Sequence, residues 1–384
     1  MKILEISDSQ IHGGAAIASN RIYKCLSKTD LSIKRLTSSS DENHSIFTGR
    51  KFHFFQNILS LFNQDKTILK LYKKEIIKQF KLILLREKPD VLHFHNIHSA
   101  NWPIDIIAAG LDCCNVVWTL HDCWSFTTSY YEGYKAPFFE EDDARKNRFW
   151  ESLFQKQFSL VGVTPSAWMK KTAQDSLWSK NRIEIIHNPV PKFFFETQER
   201  DSIKKALGLN EQLPIVLCCA ANLNEERKGA RFLDAILNHK ILEKFQLVLL
   251  GNCNLSAASR HGNVHNLGFI RDDITLRMAY SAADMLVHLA PIDNLPNTIA
   301  ESLAAGTPVL AFRTGGIPEM VQSEKSGWLV DEISEQALLK KLDEIITKNS
   351  YSSLRESTQA HARTLFDEDQ IAAEYYKLFK DLSN

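Results

Sequence analysis

Two carboxylates eight residues apart, Asp293 and Glu301, flank a point where a strand-like run gives way to a helix-like one. The segment around them is APIDNLPNTIAESLAAGTPVLAFRTGGIPEMV, Ala290 to Val321. It reads as a strand ending near Leu289, a polar loop Asp293-Asn294-Leu295-Pro296, and a helix opening at Asn297 or Thr298. In open α/β sheets, ligands bind beyond the carboxyl ends of strands. A helix start at that place offers backbone N–H groups and partial positive charge to an anion such as diphosphate. One turn in, the Glu301 carboxylate can accept two hydrogen bonds from vicinal hydroxyls, and Asp293 on the loop can serve a second set. Gly306 suits a helix C-terminus, Pro308-Val309-Leu310 starts the next strand, and Gly315-Gly316 gives a close-approach turn. Thr298-x-x-Glu301 is also a capping box, in which the glutamate only satisfies a backbone donor. On that motif alone the two readings are even. The loop and the paired glycines favour a ligand site.

A second cluster is Val91-Leu92-His93-Phe94-His95-Asn96-Ile97-His98. His93 and His95 share one strand face and His98 follows three residues on, which is part of a zinc pattern. No carboxylate or cysteine completes it locally, so no metal is expected. The seven cysteines form no C-x-x-C pair, and an odd count with adjacent pairs does not describe a disulfide framework. Cys113–Cys114 and Cys218–Cys219 sit in strand-like runs, Cys253 follows another, and Cys25 lies in a helix-like stretch. They read as small buried hydrophobes, with Cys123 singled out by its place beside His121 and Asp122.

The elements that must position these groups alternate short β-branched runs with longer helical stretches. Candidate strands are Lys2–Ile6, Ser32–Leu36, Val91–His95, Val116–Leu120, Leu160–Thr164 and Ile183–Ile186, then Ile215–Cys219, Gln246–Leu250, Met285–Leu289 and Val309–Phe312. Near-continuous apolar strands between amphipathic helices describe a parallel sheet covered on both faces. Two such sets imply two doubly wound α/β domains, which the length of 384 residues also suits. The boundary falls near His187-Asn188-Pro189-Val190-Pro191, where two prolines remove backbone donors. The charge changes sign there: residues 1–192 carry 26 basic and 20 acidic side chains, and the rest carry 20 and 26.

The overall balance of 46 basic against 46 acidic residues excludes a basic excess for nucleic-acid binding. No apolar run reaches the roughly 18 residues of a membrane span. The start, MKILEIS, is too short and too polar beyond Ile6 for a signal-peptide core, so the expected address is cytoplasmic. Residues 50–88 carry ten Lys or Arg against Asp65, Glu75 and Glu87, interleaved with apolar residues. Such a surface could rest peripherally on the anionic inner face of a membrane. A solvated helix packing its apolar stripe on the sheet is the preferred reading.

The Ala290–Val321 segment resembles the donor-sugar motif of retaining glycosyltransferases of family 4, which have the GT-B fold. Their pattern is an acidic residue, seven others, Glu, a small-residue helix and G-T-P-V; here the first acid is Asp293 instead of the commoner Glu. The DNLPNT wording is similar to enzymes that build surface polysaccharides. The resemblance implies two Rossmann-like domains facing each other across a cleft. These are an acceptor-side domain of residues 1–190 with a C-terminal crossover helix at about 367–384, and a nucleotide-sugar domain of residues 191–366. It implies that Glu301 binds the nucleotide ribose and Asp293 the hydroxyls of the transferred sugar, with Asn294, Asn297 and Thr298 beside them. His12-Gly13-Gly14-Ala15-Ala16 looks like the family's N-terminal glycine loop, which approaches the donor diphosphate and the acceptor. His121, closing a strand in Thr119-Leu120-His121-Asp122, matches a histidine that touches the transferred sugar. Arg227-Lys228 is similar to the family's basic pair on the diphosphate, though adjacent where the family separates them. Glu319 is a weaker match.

The implied reaction breaks a sugar–phosphate bond, so the protein must stabilise a departing anion. Lys228, Arg227 and the helix start near Thr298 can do so without a metal or cofactor, and the catalytic set is His121, Lys228 and Asp293. The partners implied are a nucleotide sugar and a glycan or lipid-linked acceptor. The segment Trp124–Arg148, with Tyr130, Tyr131 and Tyr134, is aromatic enough to stack on sugars, or else to pack internally. Two other classes stay open on the sequence: a GT-B epimerase, for which no acid/base set is found, and a binding protein without turnover.

Overall fold

The computed structural model describes residues 1–9, 13–37, 66–100, 102–127, 129–131, 134–135, 151–153, 155–210, 212–254 and 262–383, with backbone alone at 66–70, 129–130 and 134–135. His12, residues 50–65 of the basic segment, most of Trp124–Arg148 and the side chains of Tyr130 and Tyr134 lie outside the described residues. The chain divides into two compact units, Met1–Pro189 with Asp369–Asn384, and Val190–Glu368.

The first unit is built on six parallel strands: β1 (Lys2–Ser7), β2 (Ser32–Thr37), β3 (Val91–Phe94), β4 (Asn115–Thr119), β7 (Leu160–Thr164) and β8 (Ile183–Ile185). A two-stranded hairpin, β5 (Ser129–Tyr131) with β6 (Tyr134–Lys135), lies between β4 and β7 in the chain. The sheet order is β2-β1-β3-β4-β7-β8, every pairing parallel. The strands are buried on both faces because helices cover both. Helix α1 (Gly14–Leu26) follows β1, and its start needs Gly13, whose φ of 94° a side chain would strain. Helix α2 (Lys66–Glu87) turns Tyr72, Ile76, Phe80, Ile83 and Leu84 inward, with Phe80 and Phe94 ring centroids 6.1 Å apart. That is the preferred packing of the basic segment, yet Leu71, Leu82 and Leu85 stay more than half exposed beside its lysines. Helix α3 (Asp105–Leu111) lies so close to β3 that a methyl on Gly110 would meet Leu92 at 2.6 Å. Helix α4 (Ala167–Gln174) is capped by Ser166, which accepts from the Met169 N–H.

The second unit repeats the plan with β9 (Ile215–Asn222), β10 (Gln246–Asn252), β11 (Val264–Gly268), β12 (Met285–His288), β13 (Val309–Phe312) and β14 (Gly327–Val330). Its order, β11-β10-β9-β12-β13-β14, is the Rossmann order. Alternate residues of β9 feed opposite cores: Ile215 and Leu217 pack with Ile299 and Leu303, Val216 and Cys218 with Phe232 and Ile236. The helices of this unit are α5 (Arg200–Ala206), α6 (Ala230–Leu237), α7 (Asp273–Ala282), α8 (Asn297–Ala304), α9 (Ile317–Met320), α10 (Glu335–Lys348) and α11 (Arg355–Phe366).

The last helix, α12 (Glu368–Ser383), buries Ile371, Tyr375, Leu378 and Phe379 with Ile3, Val91, Val117 and Val161 of the first unit's sheet. Four strands were not anticipated: the β5–β6 hairpin, β11 and β14. Strand β11 is a half-buried edge whose VHNLG carries little apolar signal. Strand β14 opens on Gly327, where a side chain would fall on the Val309 backbone. Cys113 and Cys114 lie in the turn between α3 and β4 instead of a strand, and Cys113 is exposed, so it is not the buried hydrophobe expected. Among the described residues no helix is long and apolar enough to cross a membrane.

Candidate functional site

In the second unit the strand order reverses between β9 and β12, the place where α/β sheets open a crevice. Strand β9 runs into a 3₁₀ turn, Glu226–Lys228, closed by Gly229 at φ 86°. A side chain on Gly229 would strike the Leu289 carbonyl, so this turn is pressed against the end of β12. That contact delivers Lys228 to Asp293: Nζ donates to Oδ2 at 2.8 Å. The Asp293 backbone is held from the other side, its carbonyl accepting from the Gly316 N–H at 3.1 Å. Gly315, at φ 57°, packs so tightly there that a methyl would fall on the same carbonyl oxygen. Gly315→Ala combines left-handed strain with that overlap and is expected to cost about 3 kcal/mol of stability in this unit. A thermal melt of the variant within a degree of the parent would refute it.

The electrostatics follow from the pairing. Burial would raise the Asp293 carboxyl, but the Lys228 ammonium, with help from His288 and then Arg227, outweighs it and holds the group down to about 2. Asp293 is therefore an anion at neutral pH, and its other oxygen accepts from the Asn294 N–H at 2.9 Å. Burial pushes His288 down to about 4, leaving it neutral. Its Nε2 lies 3.9 Å from Asp293 Oδ2 and its Nδ1 lies 3.4 Å from the Thr298 hydroxyl. An ammonium carries three donors, so the bond to Asp293 leaves two at Lys228 for an anion. Arg227 is further out, 29% exposed and 3.4 Å from Glu225.

Helix α8 starts at Asn297, with Pro296 in the cap position, where its ring can offer no capping hydrogen bond. Thr298 is thus the second helical residue, not the cap position that the sequence motif would give it. Glu301 is buried, and its Oε2 accepts from the Tyr280 hydroxyl at 3.0 Å. Tyr280 also reaches Cys219 Sγ at 3.5 Å, and burial drives its phenol well above the usual range. The Cys219 thiol, raised by burial, sits within electrostatic reach of both Glu301 and Lys228. The second unit thus gathers Lys228, Asp293, Asn294, Thr298 and Glu301 about one strand-end region, with Arg227 at its edge and Asn297 half-buried at the helix start. Tyr280, His288 and Cys219 are the members sequence reasoning missed. His288 carried a signal, as a lone polar residue ending the apolar run Met285-Leu286-Val287.

In the first unit the remaining residues occupy two places. Gly13 and Gly14 are exposed at the start of α1, and nothing lies within 4 Å of the position a Gly13 side chain would take. His121 follows β4, is buried, and its Nε2 lies 2.9 Å from His95 Nδ1. His93 Nε2 meets the Thr119 hydroxyl at 2.8 Å, and Thr119 meets the Tyr375 hydroxyl at 3.0 Å. His98 lies 3.8 Å from Asp122 and within electrostatic reach of His121. Asp122 itself accepts from the Trp124 N–H at 2.9 Å and the Asn96 amide at 3.0 Å. Glu5, not singled out in the sequence, completes a buried cluster with His93 and His95 whose ligand atoms lie within 4.8 Å of one another. Arg35 Nε stands 3.0 Å from the same carboxylate, a cation already in place where a metal would sit. Tyr131 and Trp124 are buried, Tyr131 against Trp168 at 6.1 Å and Trp124 against His98 at 4.9 Å, so these two rings pack internally.

Comparison with known proteins converges on one class. Residues 52–192 match the Glycosyltransferase Family 4 model and residues 214–348 match Glycosyl transferases group 1. The putative colanic acid biosynthesis glycosyl transferase WcaC of Escherichia coli K12 is 24% identical over 82% of this chain and 83% of its own. Among solved structures, sucrose-phosphate synthase from Thermosynechococcus elongatus superposes with TM-score 0.76 at 17% identity, covering 99% of this chain and 98% of that one. Anabaena HepE in complex with UDP-glucose gives 0.68 at 18% identity over the full length of both. With each half matched by a glycosyltransferase model and the whole by GT-B structures, the chain belongs to the family 4 and group 1 glycosyltransferases.

Proposed function

We propose that the protein transfers a sugar from a nucleotide-diphosphate sugar to a glycan or lipid-linked acceptor, with retention at the anomeric carbon and without a metal. The observation that carries this reading is the partly buried Lys228–Asp293 pair in the unit that also holds the start of α8, with Glu301 buried in that helix. Breaking the donor's sugar–phosphate bond places negative charge on the leaving diphosphate. Lys228, then Arg227 and the helix start at Asn297–Thr298, offset that charge electrostatically. Asp293 and Asn294 hold sugar hydroxyls, Glu301 holds the ribose, and Gly13-Gly14 approach the diphosphate. His121 is assigned to the transferred sugar. Retention follows when the acceptor arrives on the departing face and the leaving phosphate takes its proton, so no protein base is named.

HepE is solved with UDP and with UDP-glucose, which makes uridine diphosphate sugars the first donors to test. The WcaC likeness points to surface polysaccharide as the product class. Incubation with a panel of nucleotide sugars, following nucleotide release, tests the activity. Unchanged release in EDTA and an unchanged anomeric coupling in the product's proton NMR spectrum test the metal and the stereochemistry. Glu301→Ala removes charge-assisted bonds of about 1.5–3 kcal/mol and is expected to raise the donor KM roughly 10- to 100-fold. A KM within twofold of wild type sinks the ribose assignment.

The exposed side of α2 supports a cytoplasmic protein held peripherally at the membrane. Leu71, Leu82 and Leu85 alternate there with Lys74, Lys78 and Lys81, an apolar-basic face suited to anionic lipid. Co-sedimentation with phosphatidylglycerol vesicles is expected to fall sharply in a Lys74/Lys78/Lys81→Glu variant and at high salt. Equal recovery of variant and wild type in the pellet removes the proposal.

A further inference from the structure

Glu5, which no part of the proposed transfer chemistry uses, sits at the centre of a buried polar row. On the sheet it stands in register with Arg35 on one side and His93 on the other. Its Oε1 lies 3.0 Å from Arg35 Nε and 3.7 Å from His95 Nε2. His95 in turn places Nδ1 2.9 Å from His121 Nε2, the two rings stacked with centroids 5.2 Å apart. All four side chains are buried, and neither Glu5 oxygen nor His95 Nε2 has a hydrogen-bond partner among the described residues.

We propose that Glu5, acting through His95, sets which ring nitrogen of His121 carries the proton. The inference rests on the reading of His121 as a group that meets the transferred sugar, but its content concerns the ring alone. A neutral imidazole has one donor and one acceptor nitrogen, so the His95–His121 contact admits two arrangements. With Glu5 ionised, His95 keeps its proton on Nε2 toward the carboxylate and offers the Nδ1 lone pair. His121 must then donate from Nε2, and its Nδ1 is an acceptor. With Glu5 protonated, the carboxyl donates to His95 Nε2, His95 donates from Nδ1, and His121 accepts at Nε2 while carrying its proton on Nδ1. The balance is one proton gained at Glu5; each imidazole keeps one and exchanges its site. Closing the Glu5–His95 gap by under about 1 Å completes the row.

The neighbours favour a proton over a metal as what this row handles. Arg35 already holds the same carboxylate, and a dication beside a buried guanidinium has too little negative charge to balance it. The groups facing the row are Arg35 from β2, His93 and His95 from β3, His121 and His98 at the strand ends, and Tyr375 from α12. Burial keeps His93 and His121 uncharged to about 3, so their rings do not ionise where Glu5 does. Burial lifts Glu5 to about 7 against the pull of Arg35, which puts the exchange near neutral pH.

The test uses full-length protein with nitrogen-15 histidine, His121 being identified by the signals that His121→Gln lacks. As pH falls through about 7, the His121 Nε2 resonance is expected to move from the protonated to the unprotonated range, and Nδ1 the reverse. In Glu5→Gln both are expected to stay flat. A flat wild-type profile overturns the proposal, and needs no variant to fold; so does a Glu5→Gln profile that follows the wild type. If the exchange occurs as stated while kcat ignores both pH and Glu5→Gln, the proposal stands and the sugar-side assignment of His121 falls.

Discussion

Lys228→Ala is expected to slow donor-dependent nucleotide release by a factor of 10² to 10³, the range seen when one preorganised group facing developing charge is removed. Two losses combine. The ammonium no longer meets the leaving diphosphate, and Asp293 loses the cation that holds its carboxyl down to about 2. Burial then dominates at Asp293, so the variant should show an acid limb in its rate profile far above that of the parent. Because the pair acts as a unit at 2.8 Å, Asp293→Ala should be similarly severe and the double variant little worse than either. Lys228→Arg keeps the charge but not the compact ammonium, and falls in between. Arg227→Ala, removing a partly exposed side chain already beside Glu225, should cost under about tenfold. Release by Lys228→Ala within threefold of wild type would end the assignment of Lys228 to the leaving group.

Much of the scaffold was legible because buried parallel strands announce themselves as apolar runs: Leu160–Thr164 and Val309–Phe312 lie where the sequence puts them. Edge strand β11 and glycine-led β14 escaped because half-burial and close backbone approach leave no apolar run to see. Local spacing likewise brought out Asp293, Asn294, Thr298 and Glu301, which one strand-end loop and the helix after it carry together. It could not show what holds them. Tyr280, His288 and the Gly229 and Gly315 contacts come from separate elements that only the sheet order brings together. Glu5 was least visible of all. In MKILEIS it breaks the alternation of no amphipathic strand, since both faces of β1 are buried, and its partners are 30 and 90 residues away. A charge inside a strand covered on both faces must be matched by other polar side chains from neighbouring strands. Glu5, Arg35 and the three histidines are one consequence of that rule, and the acid sensitivity of the first unit is another.

The first unit is expected to unfold in acid well before ordinary carboxylates titrate. His93, His95 and His121 are held neutral by burial, two of them down to about 3, whereas in the unfolded chain each binds a proton near 6.5. A depressed base binds fewer protons when folded, so its contribution is complete above 6.5 and is lost as pH falls toward the folded value. Glu5 has the opposite sense: raised to about 7, it takes up its proton in the folded state first and stabilises that state as pH drops toward 4.5. Between those limits the unfolded chain holds three extra histidine protons against one at Glu5, a net loss of roughly 3 kcal/mol per pH unit. Two pH units of that slope rival the whole stability of a domain, about 5–15 kcal/mol. The readout is at hand, because every tryptophan but Trp328 lies within residues 1–189, and Trp102, Trp118 and Trp178 are fully buried. Tryptophan emission during an acid titration should therefore report loss of this unit between 6.5 and 4.5. His93→Gln, which removes one of the three protons, should move the midpoint to lower pH. Emission and urea midpoint that hold steady down to 4.5 would mean that these rings are already charged, or solvated, in the native fold.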